Sequence, residues 1–249
     1  MTENMRKISL KAGLIISFVT LLVIGVCGCM FEKDKKRYPL FKESCEAYLE
    51  EKYGEDFIFA EPYDDFQPEK SSAKWYFRSA ALSGNESRDD KILVRVWFEN
   101  DKVNYRDNYL AFYFGEQRLR IMSEIAREVY GECRVKSPVV KGHVLPENFN
   151  KNTSLSEYLG SDGSNLKCEI FLAPGYDDSD REEKLRALYE KFHEKNVMCC
   201  ANVFYTTDEA VYDNFEDPSL RATKGWHSYH GQIWLHGNVN NYEKEARWI

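Results

Sequence analysis

The segment that decides the fold runs from Asn165 to Thr207 and reads NLKCEIFLAPGYDDSDREEKLRALYEKFHEKNVMCCANVFYTT. Its first and last parts are short apolar runs rich in β-branched and aromatic residues, which predict two strands. Its middle part spaces apolar residues at three- and four-residue steps, which predicts an amphipathic helix. A strand–helix–strand unit of this length forms either a βαβ crossover with parallel strands or an α/β sandwich around the helix.

The helix of this segment is predicted to begin at a capping box formed by Ser179 and Glu182. Its apolar face contains Leu185, Leu188, Tyr189, Phe192 and His193. Acidic side chains lie before and within the first turn of this helix, where they stabilise the positive end of the helix dipole. The alternative interpretation is that they bind calcium on a glycine-containing loop. These acids are Asp177, Asp178, Asp180, Glu182 and Glu183.

The first half of the chain predicts a helix followed by an antiparallel sheet. The sequence LFKESCEAYLEEKYGEDF has helical spacing up to Gly54, and strands are expected at DFIFAEP, AKWYFRSAAL and KILVRVWFE. A second helix is expected from Tyr109 to Val129, with Gly131 as its cap. Trp75 and Trp97 fall on adjacent predicted strands as expected cross-strand neighbours, where they pack in the core or form a sugar- or peptide-binding face. The predicted fold class is α+β, with helices packed on mainly antiparallel sheet.

The N-terminal stretch LIISFVTLLVIGVCGC, Leu14 to Cys29, follows three basic residues in the order of a secretory signal. The motif Val26-Cys27-Gly28-Cys29 resembles the bacterial lipobox. The resemblance implies cleavage before Cys29, acylation of that cysteine and a lipid anchor on the extracytoplasmic face of the cell membrane. The alternative is an uncleaved single-span anchor, because residues 12–31 carry no charge over a length that suffices to cross a bilayer.

The phrase YLEEKYGEDF followed by strands is similar to the opening of uncharacterised lipoproteins of Gram-positive bacteria. That resemblance implies a first helix packed across a sheet in a cystatin-like manner. The expected organisation is a signal peptide at 1–28, a tether at 29–38, an α+β unit at 39–138 and a second α/β unit at 139–249. The two units form one domain or two.

Composition argues against nucleic acid as a partner and leaves the disulfide pairing of the cysteines undecided. With a formal net charge of −7 and a pI of about 5.4, the chain lacks the basic character of nucleic-acid-binding proteins. Five cysteines follow Cys29, and some of them are candidates for disulfides in an exported protein. They are Cys45, Cys133, Cys168, Cys199 and Cys200. No CxxC motif is present, and the adjacent Cys199 and Cys200 are expected on opposite faces of a strand.

The residues GWHSYHGQIWLHG hold the candidates for metal binding or general base chemistry, His227, His230 and His236. On a regular strand residues three apart face opposite sides, so His227 and His230 could converge only across a turn. The other interpretation of this stretch is a loop followed by an aromatic-rich strand, without a site. No GxSxG, phosphate-loop, GxGxxG or HExxH motif occurs, and no cofactor is expected. The leading hypothesis is a membrane-tethered, non-enzymatic module that binds a protein, peptide or wall component at the bacterial cell surface. The alternative is a metal-dependent hydrolase that uses the three histidines.

Overall fold

The computed structural model describes residues 41–63, 72–82, 91–99, 102–222, 225–235 and 242–249. The predicted signal peptide and tether, including Cys29, lie outside the described residues. Among the helices that are described, none is both long and apolar enough to cross a membrane.

The first half is a helix and an antiparallel sheet. Helix α1 covers residues 41–53, and Gly54 ends it with a φ of 73° while its N–H donates to the Glu50 carbonyl at 2.8 Å. The first sheet has the order β1-β2-β3-β4, and every neighbouring pair is antiparallel. Its strands are β1 (Phe57–Pro62), β2 (Ser72–Ser79), β3 (Ile92–Glu99) and β4 (Lys102–Asp107).

Helix α1 covers the inner face of the first sheet. The ring of Phe41 lies 5.2 Å from that of Phe98, and Tyr48 stacks on Tyr105 at 4.8 Å. Trp75 is fully buried on this face, where it is paired with Val94. The predicted cross-strand pairing of the two tryptophans is wrong. Trp97 is paired with Ser72, which has the opposite parity along β2, so the indole of Trp97 faces the other side of the sheet.

The helical region after β4 is divided in two. Helix α2 (Tyr109–Tyr113) and helix α3 (Gly115–Tyr130) are separated at Phe114, whereas the sequence predicted one helix. The break coincides with Gly115, a residue of low helix propensity. The predicted C-cap is confirmed, since Gly131 has a φ of 71° and donates its N–H to the Arg127 carbonyl at 3.0 Å.

The second half is a mixed sheet with the order β5-β6-β7-β8-β9. β6 and β7 are parallel and joined by helix α5 (Arg181–Glu194), so the deciding segment is a βαβ crossover. The other strand pairs are antiparallel. The strands are β5 (Arg134–Lys136), β6 (Leu166–Leu172), β7 (Cys199–Thr206), β8 (His227–Trp234) and β9 (Ala246–Trp248). The short helices are α4 (Leu155–Leu159), α6 (Glu209–Asp213) and α7 (Tyr242–Glu245).

The predicted capping box of α5 is wrong. The helix begins after Asp180, without a side-chain cap, because the Ser179 N–H is bonded to the Asp177 carboxylate at 3.0 Å in a turn before the helix. The capping box occurs on α4, where the Ser154 hydroxyl and the Glu157 carboxylate bond each other's backbone N–H groups.

Buried residues of both halves belong to one hydrophobic cluster, which includes Phe41, Trp75, Met122, Ile170 and Phe192. Helices α3 and α5 contribute buried side chains to this cluster. The α+β class with mainly antiparallel sheets is confirmed, with the parallel β6–β7 pair as the exception.

Candidate functional site

The outer face of the first sheet carries three cations in one row across the strands. Lys74 of β2 is paired with Arg95 of β3, and Arg95 is paired with Arg106 of β4. We call Lys74, Arg95 and Arg106 the cation row. Like charges placed directly opposite each other destabilise a sheet. Within the described part of the chain, no carboxylate lies in salt-bridge distance of any of the three.

Aromatic rings accompany the cation row. The guanidinium carbons of Arg95 and Arg106 lie 5.4 and 5.6 Å from the ring centroid of Trp97. The ammonium of Lys74 lies 4.5 Å from the centroid of Tyr63. Cation–π contacts of this kind hold the cations at the surface without neutralising them.

A cleft of about 1510 Å³ adjoins the cation row. Tyr76 and Leu93 contribute to its lining two residues along β2 and β3 from Lys74 and Arg95, on the same face of the sheet and therefore roughly 7 Å away. The start of α3 and the segment 136–142 also line the cleft. We refer to this space as the cleft.

The segment 136–142, which lines the cleft, lies against Tyr63, the residue that follows β1. Gly142 has a φ of 76°, and a Cβ placed on it would lie 2.9 Å from the Tyr63 hydroxyl. Both the positive φ and the nearby hydroxyl disfavour a residue with a side chain at this position, so glycine suits it. This contact connects the cleft to the ring beneath Lys74.

Arg118 of α3 lines the cleft although it is buried, with 4% of its surface exposed. Its guanidinium donates to the Ser137 hydroxyl and carbonyl, each at 2.9 Å, to the Ala111 carbonyl at 2.9 Å and to the Tyr158 hydroxyl at 3.2 Å. All of these acceptors are neutral. Buried charges in proteins are normally paired with an opposite charge. For Arg118, by contrast, no carboxylate of the described residues lies in salt-bridge distance, so its positive charge is not compensated.

The charges that the described residues bring to the cleft are also mainly positive. Among these residues, four cationic side chains line it, against two carboxylates. Lys91 pairs with Glu61 at 2.5 Å, and Lys136 donates to the Glu216 carbonyl at 3.0 Å. On a chain of net charge −7, the cleft and the cation row form a region of opposite sign. Such a region attracts anionic groups.

Two of the predicted histidines come together. His227 and His230 both lie on β8, with ring centroids 5.9 Å apart, so the expectation that they face opposite sides is wrong. The reason is a β-bulge. The register between β7 and β8 shifts between Tyr205 and Thr206, so Ser228 is not paired with a residue of β7 in the ladder. Burial lowers the pKa of both imidazoles. His236 lies outside the described residues.

The surroundings of these histidines are those of a packed strand. His230 Nε2 lies 2.9 Å from Asn202 Oδ1, and its ring stacks on Phe204 at 4.4 Å. No group of three or more His, Cys, Asp or Glu residues suited to a metal occurs in the described part of the chain. The role of His227, His230 and His236 in metal binding or catalysis stays a hypothesis.

The cysteines that follow the tether are free thiols. Cys45, Cys133, Cys168 and Cys199 are buried, and burial raises the pKa of each, to about 11 for Cys133. Cys200 is partly exposed on the other face of β7 from Cys199, as expected for neighbours on a strand. Burial also raises the pKa of Cys200.

The sequence contains a signal for the burial of Arg118, which the sequence-based predictions do not include. The residue lies four positions from both Phe114 and Met122, so it occupies the apolar face of the predicted helix. A charged residue at such a position requires buried partners. The cation row was hidden because β4, with the sequence KVNYRD, is too polar to predict a strand.

Comparison of this chain with protein-family models, with curated protein sequences and with solved structures gives no match.

Proposed function

We propose that the chain is a lipid-anchored extracytoplasmic protein, acylated at Cys29, whose folded part is a non-enzymatic binding module. Its ligand enters the cleft on the outer face of the first sheet. The observation that carries the proposal is the buried guanidinium of Arg118, which lines a large cleft without a carboxylate partner among the described residues.

The lipobox-like motif supports the location. Arg6, Lys7 and Lys11 precede the apolar run, and Cys29 follows it at the position of the acylated residue. The twelve residues from Cys29 to the start of α1 reach at most roughly 40 Å when extended. The cleft would therefore work close to the membrane surface, where it meets wall components and other envelope molecules.

The chemistry of the cleft supports binding over catalysis. Its lining combines apolar groups, such as Pro138 and Val139, with a few convergent cations, as ligand sites commonly do. Neither a nucleophile with an adjacent base nor a pair of clustered carboxylates lines it among the described residues. Glu61, one of the carboxylates that line the cleft, is paired with Lys91.

Hydrogen–deuterium exchange tests the binding proposal. The full chain in detergent is incubated with a solubilised envelope fraction, and slower exchange is expected in residues 136–142 and at the start of α3. Val140→Trp places a bulky side chain in the cleft and is expected to remove this protection. Ile249→Trp is the matched control at an exposed site away from the cleft.

Two results would contradict the proposal. One is the absence of any protection at the cleft in the wild-type chain. The other is equal protection in Val140→Trp and Ile249→Trp, provided that both variants melt at the wild-type temperature.

A further inference from the structure

We propose that the ligand of this cleft is a linear polymer with phosphodiester groups, whose phosphates are bound by the cation row. This inference rests on the proposed binding function and adds the chemical class of the ligand. The cation row is the feature that requires explanation, because three cations on adjacent strands repel one another and have no carboxylate partner among the described residues.

The arrangement of the arginines favours phosphate. Arg95 and Arg106 are directly opposite each other, so their guanidinium groups project from the same face of the sheet a strand spacing apart. A tetrahedral phosphate has oxygens directed to several sides and can accept hydrogen bonds from both groups. A planar carboxylate is matched to the fork of a single guanidinium.

The extent of the row favours a polymer over a small anion. Three adjacent strands span roughly 10 Å from first to last, which is more than one phosphate can bridge. The adjoining cleft continues the positive region towards Arg118, Lys136 and Lys141. A chain with repeated phosphates therefore meets cations along the face and in the cleft.

The recess of the cleft favours a polymer over a bilayer surface. Arg118 has only 4% of its surface exposed and is bonded to the Ser137 hydroxyl and carbonyl, so it marks the depth of the cleft. A flat layer of lipid headgroups would contact the cation row but would not enter this space. A single flexible chain meets both features at once.

Fluorescence anisotropy with labelled polymers tests the inference on the full chain in detergent. Poly(glycerol phosphate) is expected to bind at least about tenfold more tightly than polyglutamate of equal length, and dextran is expected not to bind. Raising the salt concentration should weaken the binding steeply. The triple variant Lys74→Gln, Arg95→Gln, Arg106→Gln should lose at least about tenfold in affinity and reduce the salt slope by about 2.

A triple variant of equal charge provides the control. Arg127→Gln, Lys151→Gln and Lys195→Gln remove exposed cations elsewhere and are expected to leave affinity within twofold of the wild type. Equal losses in the two triple variants would overturn the inference, because binding would then follow net charge alone. Failure of the wild type to bind poly(glycerol phosphate), or tighter binding of polyglutamate, would also overturn it.

Competition separates the other sources of phosphate. Displacement of the polymer by monomeric glycerol phosphate at equal phosphate concentration would show a small-anion site and overturn the polymer. More effective displacement by nanodiscs of phosphatidylglycerol would show a membrane-facing surface and overturn it as well. In each of these cases the exchange experiment with Val140→Trp still decides whether the cleft binds a ligand, so failure of the inference is distinguishable from failure of the proposed function.

Discussion

Arg95 of β3 lies directly opposite Arg106 of β4, and both guanidinium groups contact the ring of Trp97. Because like charges in this position repel, Arg95→Gln is expected to raise the free energy of unfolding by about 0.2–1 kcal/mol. Added salt should stabilise the wild type more than this variant, since it screens the repulsion. Urea denaturation at low and moderate salt provides the measurement. A loss of stability in Arg95→Gln, with Arg127→Gln unchanged, would contradict this expectation.

Among the described residues of the first half, the most deeply buried ion pair joins Lys52 of α1 to Asp107 of β4, with Nζ and Oδ2 2.8 Å apart. Asp107 also accepts hydrogen bonds from the Tyr48 and Tyr53 hydroxyls at 2.8 and 2.7 Å. Burial, together with this carboxylate, raises the pKa of both phenols. The network connects α1 to the end of the sheet.

Asp107→Asn is therefore expected to lower the free energy of unfolding by about 3–5 kcal/mol, because it leaves the Lys52 ammonium buried without an opposite charge. Chemical denaturation measures the change. Glu243→Gln, which removes one partner of the Arg186–Glu243 pair, exposed on both sides, serves as the comparison and should cost about 1 kcal/mol or less. Equal costs for the two substitutions would show that the Asp107 network does not hold α1 in place.

Stability should fall as the pH drops below about 6.5, the ordinary pKa of histidine. Burial lowers the pKa of His227 and His230 in the folded state, so the unfolded chain binds protons more readily in this range. The stability contributed by the neutral imidazoles is present above pH 6.5 and is lost as the pH falls towards their folded-state pKa values.

Melting temperatures between pH 7.5 and 5.5 test this dependence. The double variant His227→Phe, His230→Gln should show a smaller decrease over that range than the wild type. An unchanged decrease in the double variant would show that other groups cause the loss.

Cys200 should be the first of the cysteines after the tether to react with iodoacetamide in the native protein. It is partly exposed, whereas Cys168 and Cys199 are buried in the hydrophobic core. Because burial raises the pKa of the Cys200 thiol, its reaction should be slow at neutral pH and faster as the pH increases. Peptide mapping by mass spectrometry identifies the site. Modification of Cys168 or Cys199 at a similar rate would contradict the burial of those thiols.

The regular parts of the fold could be predicted from the sequence because they depend on local patterns. The apolar periods of the segment 165–207 gave both strands and the helix, and Gly54 and Gly131 ended the helices as expected. The parallel pairing of β6 and β7 could not be decided, since either arrangement buries the same residues. The predicted start of α5 was wrong because the turn at Asp177 competes with a capping box for the Ser179 N–H.

The candidate site was much harder to predict. The cation row depends on the register of three strands, and one of them, β4, alternates polar residues with only two apolar ones. The approach of His227 to His230 depends on a bulge that the sequence does not mark. The cleft is formed by the segment 136–142 folding back to Tyr63, a contact between residues distant in the chain.

The central proposal, a binding module held outside the cytoplasmic membrane by a lipid, is tested most directly by the intact mass and membrane fractionation of the protein expressed in a bacterial host. The wild type should lose residues 1–28, gain acyl mass and fractionate with the membrane. Cys29→Ala should keep the mass of the full precursor, while Cys27→Ala should be processed normally. Full-length mass for the wild type and for Cys29→Ala, with both in the membrane fraction, would contradict the lipid anchor and identify the apolar stretch as a permanent span.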